Sequence, residues 1–137
     1  MRPYIRKINY YECDRMGITH HSNYIRFMEE ARMYYLEQLG YGFEKLEAQG
    51  LVSPVLGINI SYKLPTTFPD TLQIELGIVQ LTSLKVGFSY TMSVNGKTVC
   101  TATSTHCFMK EGHPVIMERE FPDLYEAMVE LKQHTAH

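Results

Sequence analysis

Residues 86–100, VGFSYTMSVNGKTVC, contain the clearest structural pattern in the chain. Large apolar side chains alternate with small or polar ones as far as Val94, a period of two that is typical of a β-strand with one buried face. The alternation stops at Asn95-Gly96, a dipeptide that favours tight hairpin turns because both residues tolerate positive φ angles. The stretch therefore predicts two antiparallel strands joined by a two-residue turn.

The same period of two continues on either side of this hairpin. Residues 56–64 (LGINISYKL) and 70–81 (DTLQIELGIVQL) alternate apolar with polar side chains. Residues 97–110 contain four threonines and one valine, whose β-branched side chains favour strands. Residues 3–10 alternate more weakly and predict a short first strand. The pattern thus indicates a run of antiparallel strands, each with one buried face.

A long amphipathic helix is predicted before these strands, over residues 23–39. Charged residues interrupt its apolar stripe at helical spacing, and Gly40 follows where a C-terminal cap is expected. The N-cap is left open among three polar residues, which are Thr19, Ser22 and Asn23. The stripe itself consists of Ile25, Met28, Tyr35, Leu36 and Leu39.

Two shorter helical segments are predicted as well. Residues 42–50 favour a helical turn between two glycines. Residues 121–134, FPDLYEAMVELKQH, predict a C-terminal helix, because Pro122 suits a first helical turn and apolar residues follow at helical spacing. That apolar face consists of Leu124, Met128 and Leu131.

These elements predict an α+β fold, in which a curved antiparallel sheet wraps around one long helix and a C-terminal helix ends the chain. The length of 137 residues suits a single domain, spanning residues 1–137. One helix covers only one face, so we expect the other face and the edge strands to stay open. On that open surface we place a small, mixed strand face, formed by Cys100, Ala102, Ser104, His106 and Phe108. We therefore predict a homodimer joined edge to edge, or a homotetramer.

The composition argues against several classes of protein. A formal charge of -2 offers no basic patch to neutralise the phosphates of a nucleic acid. No apolar run reaches the roughly 20 residues that span a bilayer, and the N-terminus lacks the apolar segment of a secretory signal. We expect a cytoplasmic protein with no membrane partner. The three cysteines form no CxxC pair and the histidines no HExxH motif, so we expect no bound metal.

The loop before the long helix, residues 12–24 (ECDRMGITHHSNY), gathers the residues best suited to chemistry. The first turn of a helix presents unpaired N–H groups and a positive dipole end, which can stabilise a negative oxygen. A carboxylate just upstream, Asp14, can act there as a nucleophile or as a base for water. Gly17 allows the backbone to turn or to approach a ligand closely. The arrangement suits acyl transfer.

Simpler interpretations stand beside this one. An aspartate in a polar loop is most often a turn or cap residue. The adjacent His20 and His21 fit a cap, an exposed surface or, with less support, a metal site. A nucleophilic Cys13 is conceivable beside a helix N-terminus, although a buried thiol is the commoner role. The sequence lacks GxSxG, GxxxxGK[ST] and GxGxxG motifs, which disfavours serine-hydrolase, P-loop and dinucleotide-binding chemistry.

The stretch YYECDRMGITHHSNYIRFMEEARMYYLEQLG, with the later INISYKLPTTFPDTLQIEL, resembles the hotdog-fold acyl-CoA thioesterases of the 4-hydroxybenzoyl-CoA thioesterase type, including the bacterial short-chain acyl-CoA subgroup. The resemblance covers roughly residues 4–130 and has the same order of elements. It implies hydrolysis of an acyl-CoA or aroyl-CoA to the free acid and CoA, without a metal or cofactor. It also implies a thioester bound in a cleft between two subunits.

The resemblance assigns roles to individual residues. Asp14 matches the catalytic carboxylate of the family, and His21 matches the position whose backbone N–H polarises the thioester carbonyl. Gly17 matches the glycine of the loop, and Asn23-Tyr24 the pair that opens the helix. His20 stands where relatives often have an aromatic residue, and its role is left open.

Residues that bind the outer part of the substrate are less well defined. Tyr24 is expected to line the acyl pocket. Ser83 and Lys85 are candidates for polar or phosphate contacts, as are Lys63 and Arg26. Each of the four is explained equally well as an ordinary polar residue on the solvated surface.

Two other functions are consistent with the same fold. One is an enoyl-thioester hydratase or dehydratase, but the D-x-N-x-x-H signature of that branch is not matched after Asp14. The other is a non-catalytic acyl-CoA binding module, against which the presence of the acid argues.

Overall fold

The computed structural model describes residues 1–135, which form two antiparallel sheets and four α-helices within that range. The strands are β1 (Tyr4–Lys7), β2 (Leu51–Val52), β3 (Val55–Tyr62), β4 (Thr71–Leu81), β5 (Lys85–Val94), β6 (Lys97–Cys107), β7 (Met109–Lys110) and β8 (His113–Pro114). The helices are α1 (Asn23–Gln38), α2 (Phe43–Ala48), α3 (Met117–Glu120) and α4 (Pro122–Gln133), with a 3₁₀ turn at Tyr10–Glu12. The large sheet has the order β1-β4-β5-β6-β3, and the small one β2-β7-β8.

The predicted hairpin is confirmed. β5 and β6 pair antiparallel from Lys85 opposite Cys107 to Val94 opposite Lys97. Asn95 and Gly96 have φ angles of 51° and 79°, as a two-residue turn with two left-handed positions requires. This hairpin forms the centre of the large sheet and fixes which side chains of both strands face inward.

The main helix α1 packs its apolar face on the sheet, although that face is rotated from the predicted stripe. Ile25 belongs to the predicted stripe, but this residue is 45% exposed. The buried positions follow the spacing i, i+3, i+4, i+7 from Tyr24, which is the period of an α-helix. They are Tyr24, Phe27, Met28, Ala31, Arg32, Tyr35 and Leu36.

The end of α1 has the predicted glycine, in a specific role. Gly40 has a φ of 87°, its N–H donates to the carbonyl of Glu37, and the next N–H, of Tyr41, donates to the carbonyl of Leu36. These two bonds form a Schellman motif, which satisfies carbonyls that the helix leaves free. The chain therefore turns sharply toward α2.

The strand face of β6 that we placed on the open surface is buried instead. Its residues face the inside of the sheet, with exposures of 0% for Cys100, 6% for Ala102, 1% for Ser104 and 1% for His106. The prediction was wrong because a strand's period of two identifies two faces but not which one is inside.

The open surface is found on β3 instead. This edge strand pairs only with β6, and seven of its eight residues are exposed, so the predicted burial of one face is not observed in the single chain. The exposed apolar side chains include Val55, Leu56 and Ile58, at 47%, 53% and 38%. An unpaired edge of this length with apolar side chains is a surface that proteins usually cover.

The C-terminal helix α4 buries Leu124 and Met128, as predicted, and lies beside β4. The hydroxyl of Thr135 accepts a hydrogen bond of 2.9 Å from the backbone N–H of Ile78, which fixes the end of the helix to the sheet. None of the helices within residues 1–135 is long and apolar enough to cross a membrane.

A chain of polar side chains runs through the core between α1 and the sheet. The Arg32 Nη1 donates to the Tyr90 hydroxyl at 2.9 Å, which lies 2.6 Å from the Ser104 hydroxyl. Ser104 Oγ lies 2.8 Å from His106 Nε2, and His106 Nδ1 lies 3.3 Å from the carbonyl oxygen of Ser53. Since a carbonyl only accepts, His106 carries its proton on Nδ1 and accepts at Nε2.

The buried histidine of this chain makes stability depend on pH. Burial, and secondarily the charge of Arg32, lowers the pKa of His106 from 6.5 to about 4. The folded state therefore resists a proton that the unfolded state accepts, so stability is complete above pH 6.5 and falls as the pH drops toward 4. Between pH 7 and pH 4.5 this histidine should cost the wild type about 2 to 3 kcal/mol in the free energy of unfolding, and we expect His106→Gln to lack this loss. Urea denaturation at pH 7 and pH 4.5 measures it, and identical losses in variant and wild type would contradict the assignment.

Candidate active site

The loop of residues 13–19 is a small hairpin that holds Asp14 at its turn. Cys13 and Thr19 form an antiparallel bridge, and the N–H of Asp14 donates to the carbonyl of Ile18 at 2.8 Å. Gly17, with a φ of 79°, donates its N–H to the carbonyl of Asp14 and closes the turn. The glycine therefore shapes the loop through its backbone conformation.

The Asp14 carboxylate is half-buried and oriented by the loop itself. Its Oδ1 accepts a hydrogen bond of 2.8 Å from the N–H of Met16, which is the geometry of an Asx turn. Within residues 1–135 the other carboxylate oxygen, Oδ2, accepts no hydrogen bond. The turn role and the catalytic role are thus compatible, because each uses a different oxygen.

A group of buried hydroxyls anchors the loop to the chain before β4. Thr19 donates its N–H to the carbonyl of Thr66 at 2.8 Å, and the two threonine hydroxyls lie 2.6 Å apart. The hydroxyl of Tyr24, in the first turn of α1, lies 2.8 Å from that of Thr66. Burial raises the pKa of Tyr24, which keeps its phenol neutral. The start of α1 and the Asp14 loop therefore form one rigid unit.

The N-cap position of α1, which the sequence left open, is occupied by Ser22. This serine makes no side-chain bond to the helix. The side chain of Asn23 instead donates to the carbonyl of Glu12 at 2.9 Å. His20 Nδ1 accepts from the N–H of Ser22 at 3.2 Å, and its ring stacks on that of His21 with centroids 4.3 Å apart. His20 therefore has a structural role in this loop.

The backbone N–H of His21 is the free donor at this helix start. It makes no hydrogen bond with any residue from 1 to 135, while the neighbouring N–H groups of Ser22, Asn23 and Tyr24 all have acceptors. The carbonyl of His21 accepts from the Tyr62 hydroxyl at 3.0 Å, which holds this peptide in place. The structure thus fixes a free donor beside the positive end of the helix.

Tyr62 is a site residue that the sequence did not single out. It ends β3, its ring packs edge-on against Tyr24 with centroids 5.2 Å apart, and burial raises the pKa of its phenol. Its position in an alternating strand predicts only that its side chain lies on the apolar face of that strand. The contact to His21 joins residues 41 positions apart, which no local pattern indicates.

Asp14, His21 and Tyr24 line one open groove of about 470 Å³, together with Tyr62 and other residues. Gly17 belongs to the same loop but not to the groove wall. The remaining residues of the wall are Met16, Ile18, Thr19, Lys63, Leu64 and Pro65. Three of the predicted site residues therefore meet in one place, and Lys63 joins them.

Ser83 and Lys85 lie far from this groove in the same chain. Lys85 pairs with Cys107 at one end of the sheet, whereas Tyr62 pairs with Cys100 at the other, a separation of about 23 Å along the strand. The Ser83 hydroxyl donates to the carboxylate of Glu118. Their role in substrate binding stays a prediction.

Comparison with known proteins agrees with this fold. The model of the thioesterase-like superfamily matches residues 8–128. The chain is 34% identical to the Bacillus subtilis protein YneP, provisionally named an acyl-CoA thioesterase, over 93% of this chain and 94% of that protein. An Aquifex aeolicus protein, provisionally named an esterase, is also 34% identical, over 85% of this chain and 91% of its own length.

A solved structure shows the same fold. The DHNA-CoA thioesterase of Staphylococcus aureus superposes with a TM-score of 0.90 at 27% identity, over 96% of this chain and 91% of that one. The predicted fold, a curved antiparallel sheet around one long helix with a C-terminal helix, is confirmed. The chain belongs to the thioesterase-like superfamily and has its hotdog fold.

Proposed function

We propose that this chain hydrolyses the thioester of an acyl-CoA or aroyl-CoA, with Asp14 as the nucleophile or general base. One observation carries the proposal: Asp14, whose carboxylate has a free oxygen, and His21, whose backbone N–H has no acceptor within residues 1–135, line the same groove. Thioester hydrolysis requires both groups, because one must attack or activate water and the other must stabilise the oxygen that becomes negative.

The reaction follows from the positions of these groups. A thioester carbonyl in the groove accepts the N–H of His21, and the dipole of α1 adds to the stabilisation of its oxygen. Asp14 Oδ2 then attacks the carbonyl carbon, or removes a proton from a water that attacks. Collapse of the tetrahedral intermediate breaks the carbon–sulfur bond and releases the CoA thiolate. On the nucleophilic route this leaves an acyl–Asp14 anhydride, which water hydrolyses to the free acid and the regenerated carboxylate. On the general-base route the acid forms directly, and the proton held by Asp14 passes to the thiolate. Tyr62 positions the oxyanion donor through its bond to the His21 carbonyl.

We also propose that the active unit is a homodimer joined through β3. Antiparallel pairing of two β3 edges places the Val55 end of one strand beside the Tyr62 end of the other. Within one subunit, Val55 of β3 pairs with His106 of β6, and Lys85 of β5 pairs with Cys107, the next residue of β6. Lys85 therefore lies at the Val55 end of the sheet. In the proposed dimer, this end of the partner's sheet approaches the groove. Ser83 and Lys85 of the second subunit could then contact the substrate. The lysine side chain is suited to bind a phosphate of CoA.

A panel of CoA esters tests the proposed function. We expect wild-type protein to release free thiol from at least one of acetyl-, hexanoyl-, palmitoyl- and benzoyl-CoA at a rate above the spontaneous one, measured with a thiol reagent. The acid and CoA should appear in equal amounts. Hydration of crotonyl-CoA without thiol release would favour the hydratase alternative, and tight binding of every ester without turnover would favour a binding module.

A further inference from the structure

A second cavity lies at the other end of α1 from the Asp14 groove. It has a volume of about 150 Å³ and is lined mainly by apolar side chains, among them Leu46, Phe88, Phe108, Leu124 and Met128. It shares no lining residue with the groove. A helix rises about 1.5 Å per residue, so Arg32, which lines the cavity, lies about 12 Å along α1 from Tyr24.

Arg32 is a buried cation without a counter-ion. Its residue is only 8% exposed, and no carboxylate within residues 1–135 lies close enough to form a salt bridge with it. A guanidinium has five N–H donors, and the described residues accept one hydrogen bond from it, at Tyr90. No fully buried side-chain nitrogen within residues 1–135 lacks a hydrogen-bond partner, so the remaining Arg32 donors reach accessible space. Because Arg32 lines the cavity, an anion bound there can accept from them.

The titratable groups near Arg32 do not neutralise its positive charge. His106 is the titratable end of the polar chain, and its lowered pKa, about 4, keeps it neutral at pH 7. Glu47 is the single acid on the described cavity wall, and it is exposed at the surface. No atom pair between Glu47 and Arg32 is within salt-bridge distance.

The structure assigns to this cavity the binding of a small monocarboxylate with an apolar body, of the size of benzoate. The carboxylate would accept two parallel N–H bonds from Arg32, which matches the forked geometry of a guanidinium. The apolar body would occupy the space between Phe88, Phe108 and Leu46. A cavity of about 150 Å³ lined by such residues holds one benzene ring. The site is independent of the proposed hydrolysis at Asp14.

Calorimetric titration of the full-length wild-type chain with sodium benzoate tests this site, with neutral benzamide as the matched ligand. We expect benzoate to bind at millimolar concentration or below and benzamide at least about tenfold more weakly, because only benzoate pairs with the guanidinium. Nuclear Overhauser effects should connect the benzoate ring with Phe88 and Phe108. Equal binding of both ligands, no binding, or contacts with Leu64 in the groove instead would each overturn the assignment.

Three variants sharpen the test. Arg32→Gln should weaken benzoate binding at least about tenfold while keeping a donor for Tyr90. Arg26→Gln, which removes an exposed guanidinium from the same helix, should change binding less than twofold, or about 0.4 kcal/mol. Glu47→Gln should strengthen binding by removing a negative charge. Thermal unfolding establishes that each variant folds. If Arg32→Gln does not fold, the comparison of benzoate with benzamide on the wild type is sufficient to test the site.

Discussion

Replacing Asp14 by asparagine is expected to lower kcat for acyl-CoA hydrolysis about 10²- to 10⁴-fold, the range typical for removal of an acid–base group. Asparagine keeps an oxygen that can accept from the N–H of Met16, so the Asx turn and the loop should survive. It lacks the basicity and nucleophilicity of the carboxylate. We therefore expect kcat to fall while KM and the thermal unfolding temperature change little, as measured by steady-state kinetics and circular dichroism.

Asp70→Asn is the matched control for this variant. The Asp70 carboxylate accepts from the N–H of Thr67 at 2.9 Å, a local turn bond like that of Asp14, but it does not line the groove. Its replacement should leave kcat within about twofold of the wild type. An equal loss of activity in both variants would mean that loop structure, rather than the chemistry of Asp14, explains the effect.

Placing a charge on the exposed edge strand is expected to separate the subunits and to remove most of the activity. Ile58 lies in the middle of β3, so antiparallel pairing brings the Ile58 residues of two subunits close together. Lysine there adds like charges to the edge, a common means of preventing strand pairing. We expect Ile58→Lys to behave as a single chain of 15.9 kDa in light scattering, whereas the wild type should have at least twice that mass. Activity should fall at least about tenfold if the partner completes the site, as we propose.

Val79→Lys controls for the loss of an exposed apolar side chain. Val79 is 42% exposed but lies on β4, at an irregularity of its pairing with β5 and away from the β3 edge. This variant should keep both the mass and the activity of the wild type. A wild type that is a single chain in solution, or an Ile58→Lys variant that stays assembled and active, would contradict the role of β3.

Periodicity predicted most of the fold, since each element depends on local spacing. The hairpin at Asn95-Gly96, the long helix and the C-terminal helix all follow from patterns within a few turns or strands. The two errors in the sheet concern which face is inside. Cys100 and His106 belong to a face that tertiary packing buries, and β3 is exposed because it is an edge. Both facts depend on strand order, which alternation along one strand does not contain.

The candidate site was predicted as far as its residues are close in sequence. Asp14, Gly17 and His21 lie on one loop, and Tyr24 follows in the first helical turn. The residues that hold this loop, Thr66 and Tyr62, are more than 40 positions away in sequence and contribute ordinary polar contacts without a motif. Arg32 was one of several charges on a helix, and only the packing of α1 reveals that it is buried.

One assay tests the central claim most directly: release of free CoA thiol from the best substrate of the panel, measured side by side for the wild type and Asp14→Asn. Equal concentrations of folded chain are required, so that the rates report on chemistry alone. The proposed mechanism predicts steady release by the wild type, with one carboxylic acid formed per thiol, and a rate at least about 10² lower for the variant. Undiminished release by folded Asp14→Asn would contradict it.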